Sequence, residues 1–358
     1  MCIRDRCRSS LRELRSSPGP CLRGWTSPDR FTLLHQFRGT GFQKKQMTSP
    51  KSPPKPPQQR VLFFGMPDIF SHAVLEPLLS RGVNIVGVVM PGSEPNSELQ
   101  NIGGIPIVQN ANHSTIEKLA LEYHIPVSYV QDASSDKLQK EIRQYKPDYI
   151  LVACFPNKLP PHIWQAPNIA CLNLHPSLLP AYRGPYPVFW QLRNGEMKTG
   201  VTLHLVNDEI DSGDIVLQME VPLRAGMRGR AIDSKLGEFG AKLFLEALRL
   251  YQLNNINLQP QSWIEASYMP VPKSTDFVIS PTWSARHAFS FIRGTEEWAR
   301  TYQIDTGDAV VIIKAAMAYS PSGTIDKPYQ IEDNYITMQF SPGLVNAYIE
   351  SVTVQKAV

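Results

Sequence analysis

From residue 61 onward, short apolar runs alternate with segments whose apolar residues recur at helical spacing, which predicts β-α-β units on a mostly parallel sheet. Residues 61–64 predict the first strand, and 67–80 a helix with Phe70, Val74, Leu75, Leu78 and Leu79 on one face. Residues 83–89 predict the second strand, and 116–123, 126–130, 135–145 and 148–154 repeat the motif. Three more strands are predicted over 169–174, 200–206 and 214–221, and a long helix over 231–253 lies across the sheet. The expected fold class is therefore α/β with a Rossmann-like sheet, contained in residues 60–255.

After that helix the pattern changes. Residues 256–274 read as a connector, 284–293 as a short helix, and 302–304, 309–313, 324–325 and 335–340 alternate as strands do. Residues 275–358 are accordingly expected to form a smaller, β-rich C-terminal domain. At the other end, residues 1–46 are rich in Arg and Ser, poor in acid and without a sustained period. Their opening, Met1-Cys2-Ile3-Arg4-Asp5-Arg6, resembles translated sequencing-adapter sequence. Residues 1–59 are read as a disordered or non-native leader and a Pro-, Lys- and Gln-rich linker, with Met47 as the native start. A genuine Arg-rich transit segment would instead direct the chain to an organelle.

Composition narrows the function classes. At 358 residues and 42% hydrophobic content the chain can bury one large core or two smaller ones. The formal charge of +4 is set by the leader, because residues 1–60 hold 13 of the 36 Lys and Arg but only 3 of the 32 Asp and Glu. The rest carries 23 basic against 29 acidic residues, net −6, which speaks against a broad nucleic-acid footprint and against DNA as a partner. No apolar run reaches the roughly 18 to 20 residues of a membrane span, so a cytoplasmic protein without a membrane partner is expected. Cys154 and Cys171 sit in apolar runs without metal-ligand spacing and are expected to be buried thiols, with no metal and no disulfide.

The chemistry concentrates in Asn173-Leu174-His175-Pro176-Ser177-Leu178-Leu179-Pro180, closed by Tyr182-Arg183-Gly184. In a strand, residues two apart share a face, so Asn173 and His175 point together while Leu172 and Leu174 enter the core. A polar turn farther on offers four acids, Asp208, Glu209, Asp211 and Asp214, any of which could partner the imidazole. Amide, imidazole and carboxylate suit acyl or formyl transfer through a tetrahedral oxyanion. A nicotinamide oxidoreductase is disfavoured, since Gly65-Met66-Pro67-Asp68 has one glycine where a dinucleotide-binding turn needs three.

These residues resemble the folate-dependent formyltransferase family, and within it the tRNA formyltransferases most, over about residue 60 to the chain end. The resemblance implies that Asn173, His175 and Asp211 are catalytic, the family pattern selecting Asp211 among the four acids. It also implies that Phe155 and Leu159 pack on the folate, that the backbone from Asn207 through Asp208 and Glu209 to Ile210 lines the pteridine pocket, and that the C-terminal domain is OB-like. Met66 departs from the family's Gly-Thr-Pro. Arg183 is expected to hold an acidic loop partner or substrate, with Gly184 permitting a turn.

The implied reaction moves a formyl group from N10-formyltetrahydrofolate, as co-substrate, to the amino group of methionyl-tRNA. Asn173 and a protonated His175 would hold the oxyanion, and Asp211 would keep the ring charged. Two features leave the acceptor open. Residues 275–358 contain 6 Lys and Arg against 9 Asp and Glu, and the basic insertion that tRNA formyltransferases carry after the second strand is replaced by Pro91-Gly92-Ser93-Glu94-Pro95-Asn96-Ser97-Glu98. A small amine such as a nucleotide-linked amino sugar, or water in a formyltetrahydrofolate hydrolase, remains open. A non-catalytic folate- or RNA-binding module would not need the polar trio.

Overall fold

The computed structural model of the chain describes residues 58–92 and 115–354. The expectations for residues 1–57, and for the replaced insertion beyond Gly92, lie outside the described residues. Seven strands form the first sheet: β1 (Arg60–Gly65), β2 (Asn84–Pro91), β3 (Val127–Val130), β4 (Tyr149–Ala153), β5 (Ala170–His175), β6 (Lys198–Leu205) and β7 (Ile215–Pro222). Their order is β3-β2-β1-β4-β5-β6-β7. All pairings up to β5 are parallel, whereas β5–β6 and β6–β7 are antiparallel.

Both faces of this sheet are covered, which is why the central strands read as continuous apolar runs. One face carries α1 (Ile69–Ser80), α2 (Ile116–Glu122) and the long α6 (Gly229–Gln252), whose Val74, Leu78, Leu236 and Phe244 bury against Val61, Phe63 and Leu172. The other face carries α3 (Asp136–Tyr145) and the single turn α4 (Pro161–Trp164), which bury Leu138, Ile142 and Ile163 with Leu62, Phe64 and Cys171. Helix starts are set by local chemistry. The side chains of Asp68, Thr115 and Ser135 each accept a backbone N–H three residues on, satisfying donors a helix leaves free. The five apolar residues foreseen on one face of α1 are all buried.

A second, six-stranded sheet contains β8 (Val278–Ile279), β9 (Tyr302–Asp305), β10 (Ala309–Ser320), β11 (Tyr329–Glu332), β12 (Tyr335–Gln339) and β13 (Leu344–Val354), ordered β11-β12-β13-β10-β9-β8. It is antiparallel apart from β8–β9. Between the sheets, α5 (Pro187–Arg193) and α7 (Ala285–Thr295) bring Phe189 to 5.5 Å from Phe291 between ring centroids, beside Phe277 and Trp298. One buried cluster thus runs from the parallel sheet into the antiparallel one. The α/β class with a smaller β-rich sheet agrees with the sequence expectation.

Three local expectations need correction. Residues 324–325 form no strand: Pro321, Gly323 and Pro328 surround them, proline cannot donate to a ladder, and the Ile325 N–H bonds instead to Gln339 Oε1 at 3.0 Å. The strand foreseen at 309–313 continues to Ser320, because register shifts against β13 after Ile312, Ile313 and Ala316 break its period without ending it. Cys154 is exposed rather than buried, while Cys171 is buried. Among the described residues no helix is long and apolar enough to cross a membrane.

Gly237 of α6 lies so close to α1 that a Cβ there would sit 2.7 Å from both the Ala73 Cβ and the Phe70 carbonyl oxygen. Gly237→Val is therefore expected to lower the unfolding free energy by about 2 kcal/mol, since overpacking outweighs the small gain in helix propensity. Denaturant titration followed by circular dichroism measures it.

Candidate active site

In open α/β sheets, ligands bind where the parallel strands end. β5 delivers its last residues to that edge, with Cys171, Asn173 and His175 on one face and Leu172 and Leu174 buried on the other. Cross-strand pairing to β6 sets Asn173 opposite His204 and His175 opposite Thr202. Asp211 arrives on the turn between β6 and β7. That turn is shaped by Asn207, whose Oδ1 accepts from the Glu209 N–H at 3.1 Å and the Ser212 hydroxyl at 3.0 Å. Gly213 is required there, because a Cβ would lie 1.9 Å from the Leu205 carbonyl oxygen.

Asp211 is the hub that joins the three segments. Its Oδ1 accepts from Asn173 Nδ2 at 3.3 Å and lies 3.7 Å from His204 Nε2. Its Oδ2 accepts the Gly184 N–H at 2.9 Å and lies 3.6 Å from His175 Nδ1. Gly184 has φ +96, and a Cβ there would meet the Met269 carbonyl oxygen at 2.5 Å, so the backbone donor depends on glycine.

The tautomers follow from fixed partners. His175 Nε2 is 2.7 Å from the Tyr182 carbonyl oxygen, which can only accept, so Nε2 carries a proton and Nδ1 faces Asp211. His204 Nδ1 donates to the Leu205 carbonyl at 2.8 Å, leaving Nε2 to accept from Asn173 Nδ2 at 3.0 Å. Both amide hydrogens of Asn173 are thereby engaged. His204, on β6, is buried against the trio. Its alternation in Thr202-Leu203-His204-Leu205 was visible; the β5–β6 register that aims it at Asn173 was not.

Burial pushes the His175 pKa below its ordinary value, and the nearby Asp211 charge does not offset this. The resting ring is therefore neutral, which corrects the expectation of a standing imidazolium. A separation of 3.6 Å from the carboxylate, too long for a hydrogen bond, agrees with a bare Nδ1. For Asp211 burial works upward, but His175 as it charges in acid and the Gly184 N–H hold its carboxyl well below the usual range.

The remaining foreseen residues are distributed as follows. Phe155 is half-buried, edge-on to Phe64 at 5.2 Å between centroids, and Leu159 is buried rather than forming an open rim. Both pack in the same apolar cluster as Val206, the residue before the Asn207 turn, so the two segments share one sheet face. Asp208, Glu209 and Ile210 are exposed along the rim of that turn, whereas Asn207 is half-buried. Arg183 is buried and pairs with an amide, not an acid: its guanidinium donates to Gln261 Oε1 and lies 4.9 Å from the Trp263 ring centroid. Among the described residues no group of three or more His, Cys, Asp or Glu is arranged to hold a metal ion.

Comparison with known proteins agrees with this layout. Residues 60–248 match the formyl transferase family. The methionyl-tRNA formyltransferase of Thermodesulfovibrio yellowstonii is 33% identical over 71% of this chain and 79% of its own length. That of Clostridioides difficile is 32% identical over 68% and 75%. An N-formyltransferase from Helicobacter canadensis, solved with folinic acid and dTDP-3-aminofucose, shares the fold with a TM-score of 0.59 at 17% identity, covering 81% of this chain and 99% of that one. The fold and these relatives define a group-transfer enzyme. The chain belongs to the formyl transferase family and is a formyl-transferring enzyme.

The depressed His175 value has a thermodynamic sign. Above about pH 6.5 the ring is neutral in both folded and unfolded chains; below it the unfolded chain binds a proton that the folded site resists, so stability falls as pH falls. Asp211, held below its ordinary value, adds a second loss below about pH 4. His175→Gln is expected to make the first decline shallower and to weaken the second, because Asp211 loses its cation. Urea unfolding at a series of pH values checks both.

Proposed function

We propose that this enzyme transfers the formyl group of N10-formyltetrahydrofolate to the α-amino group of methionyl-tRNA, in the cytoplasm, with Asn173, His175 and Asp211 as catalytic residues. The observation that carries this reading is the convergence of Asn173 and His175 on the Asp211 carboxylate at the carboxyl edge of the parallel sheet. The names of the relatives support the acceptor. For the donor, Phe155, backed by the buried Leu159, supplies an apolar wall, and the backbone from Asn207 to Ile210 supplies a polar edge of the kind a pterin ring requires. In this reading residues 60–255 are the catalytic domain, 256–274 the connector and 275–358 an acceptor-side domain.

The residues divide the work. As the neutral amine attacks the formyl carbon, the carbonyl π pair moves onto oxygen. Asn173 Nδ2 exchanges its longer bond, 3.3 Å to Asp211, for that oxygen, while His204 keeps the amide oriented. His175 Nδ1, neutral at rest, accepts the amine proton directly or through water, and Asp211 stabilises the imidazolium that results. When the carbonyl re-forms and the bond to N10 breaks, His175 returns the proton to the departing nitrogen. No covalent enzyme intermediate arises and the starting protonation state is restored.

A second reading rests on one observation: the acidic balance of residues 275–358 suits a small amine, such as a nucleotide-linked amino sugar, better than a polyanion. A formyltetrahydrofolate hydrolase is the variant in which water accepts.

Labelled N10-formyltetrahydrofolate offered with methionyl-tRNA, amino sugars or no acceptor separates these readings. Label is expected on methionyl-tRNA, with a rate that falls steeply between low and moderate salt; label only on an amino sugar, or release as formate, overturns the tRNA assignment. Asn173→Ala is expected to lower turnover by about a hundredfold, the usual cost of one oxyanion donor. His175→Ala and Asp211→Ala are expected to fold and to lose most turnover. A near wild-type rate in His175→Ala would defeat the catalytic assignment.

A further inference from the structure

The turn that carries Asp211 is held from outside as well as by Asn207. Asp211 has φ +53, a left-handed conformation uncommon for a non-glycine residue, and contacts from beyond the turn add to its hold. Those contacts come from the connector. Gln259 exchanges two backbone hydrogen bonds with Ile215 at the start of β7, at 2.8 and 2.9 Å. Two residues on, Gln261 is 8% exposed and reaches inward. Its Nε2 donates to the Asp211 carbonyl at 2.9 Å and the Gly213 carbonyl at 2.7 Å, while its Oε1 accepts from Arg183 Nε at 3.1 Å and Nη2 at 2.7 Å. Farther along, the Ser267 carbonyl accepts the Arg183 N–H and the Met269 N–H donates to the Arg183 carbonyl.

We propose that Gln261 is a positioning residue for the formyl-transfer reaction, clamping the Asp211 turn to the Arg183-Gly184 loop so that the Asp211 carboxylate stays on Asn173, His175 and the Gly184 N–H. The proposal rests on the reading of Asp211 given above. Only a primary amide fits the position. Two hydrogens on one nitrogen satisfy two carbonyls from the Asp211 side, and two lone pairs on one oxygen satisfy two guanidinium N–H groups from the Arg183 side. A carboxylate would keep Arg183 but oppose the carbonyls, and an apolar residue would leave both sides buried and unpaired. Because Gly184 and Arg183 are consecutive, the clamp fixes the distance between Asp211 Oδ2 and its backbone donor, 2.9 Å as observed.

The test is a double-mutant cycle with Asp211→Asn in the full chain, followed by single-turnover formylation under saturating donor. Gln261→Glu preserves the Arg183 contact and removes only the hold on the Asp211 turn; Gln261→Leu removes both. Each is expected to lower kcat by about tenfold or more, the usual consequence of misplacing a catalytic group by an ångström. KM is expected to change by less than about twofold. In the Asp211→Asn background, Gln261→Glu is expected to change the rate by less than about twofold, because the group it positions is gone. An NMR titration of the His175 ring in Gln261→Leu should show its pKa lowered further, as the raising influence of Asp211 recedes. Retention of wild-type kcat in Gln261→Glu, or a loss that persists undiminished without the Asp211 carboxylate, overturns the proposal. If Gln261→Leu does not fold, Gln261→Glu decides. Wild-type turnover in Asp211→Asn alone would instead defeat the reading of the site, and the proposal with it.

Discussion

A carboxylate that is 12% exposed must find hydrogen bonds or it will protonate, and the Asn173 amide and the Gly184 N–H answer that need for Asp211. Asn173, the Gly184 N–H, His204 and His175 come from β5, from the loop after it, from β6 and again from β5. Asn173 and the Gly184 N–H donate to Asp211 and the two rings lie 3.6 and 3.7 Å from it, and this shared neighbour makes them one site. Because Asp211 stays ionised while burial keeps His175 neutral, the pair rests with a vacant proton position on Nδ1, able to take up a proton. The site stores acceptor capacity, not a standing positive charge.

Holding that arrangement requires strands of opposite direction. The parallel part of the sheet brings Asn173 and His175 to its carboxyl edge, as in other doubly wound folds. The reversal at β5–β6 then places His204 directly across from Asn173 and ends β6 opposite Leu172, and the turn that follows folds back to bring Asp211 to Asn173 and His175. Residues 259–269 return beside the start of β7 and along residues 180–184, so polypeptide that follows the first sheet also borders the Asp211 site. The aromatic junction of Phe189, Phe277, Phe291 and Trp298 joins the sheets by apolar contact.

Much of the architecture was legible in the sequence because burial on both faces writes itself as apolar runs, and helix starts as Asp, Thr or Ser before an amphipathic segment. The strands of the first sheet, with α1, α3 and α6, follow those signals closely. The C-terminal sheet was harder. Strand β13 and the far half of β10 escaped because bulges reset the two-residue period, and residues 324–325 imitated a strand although prolines and a glycine surround them.

By itself the sequence determined the fold class, the formyltransferase resemblance, and the pairing of Asn173 and His175 on one strand face, since these depend on local periodicity and on a contiguous motif. Tertiary structure alone decided which side chains meet them. His204 lies 31 positions from Asn173 and Gln261 lies 50 from Asp211, and contacts over such separations depend on strand register and chain return, which no local pattern encodes. It also decided the charge of His175, because burial is a property of the folded interior and outweighs the neighbouring acid that the sequence had suggested would keep the ring ionised.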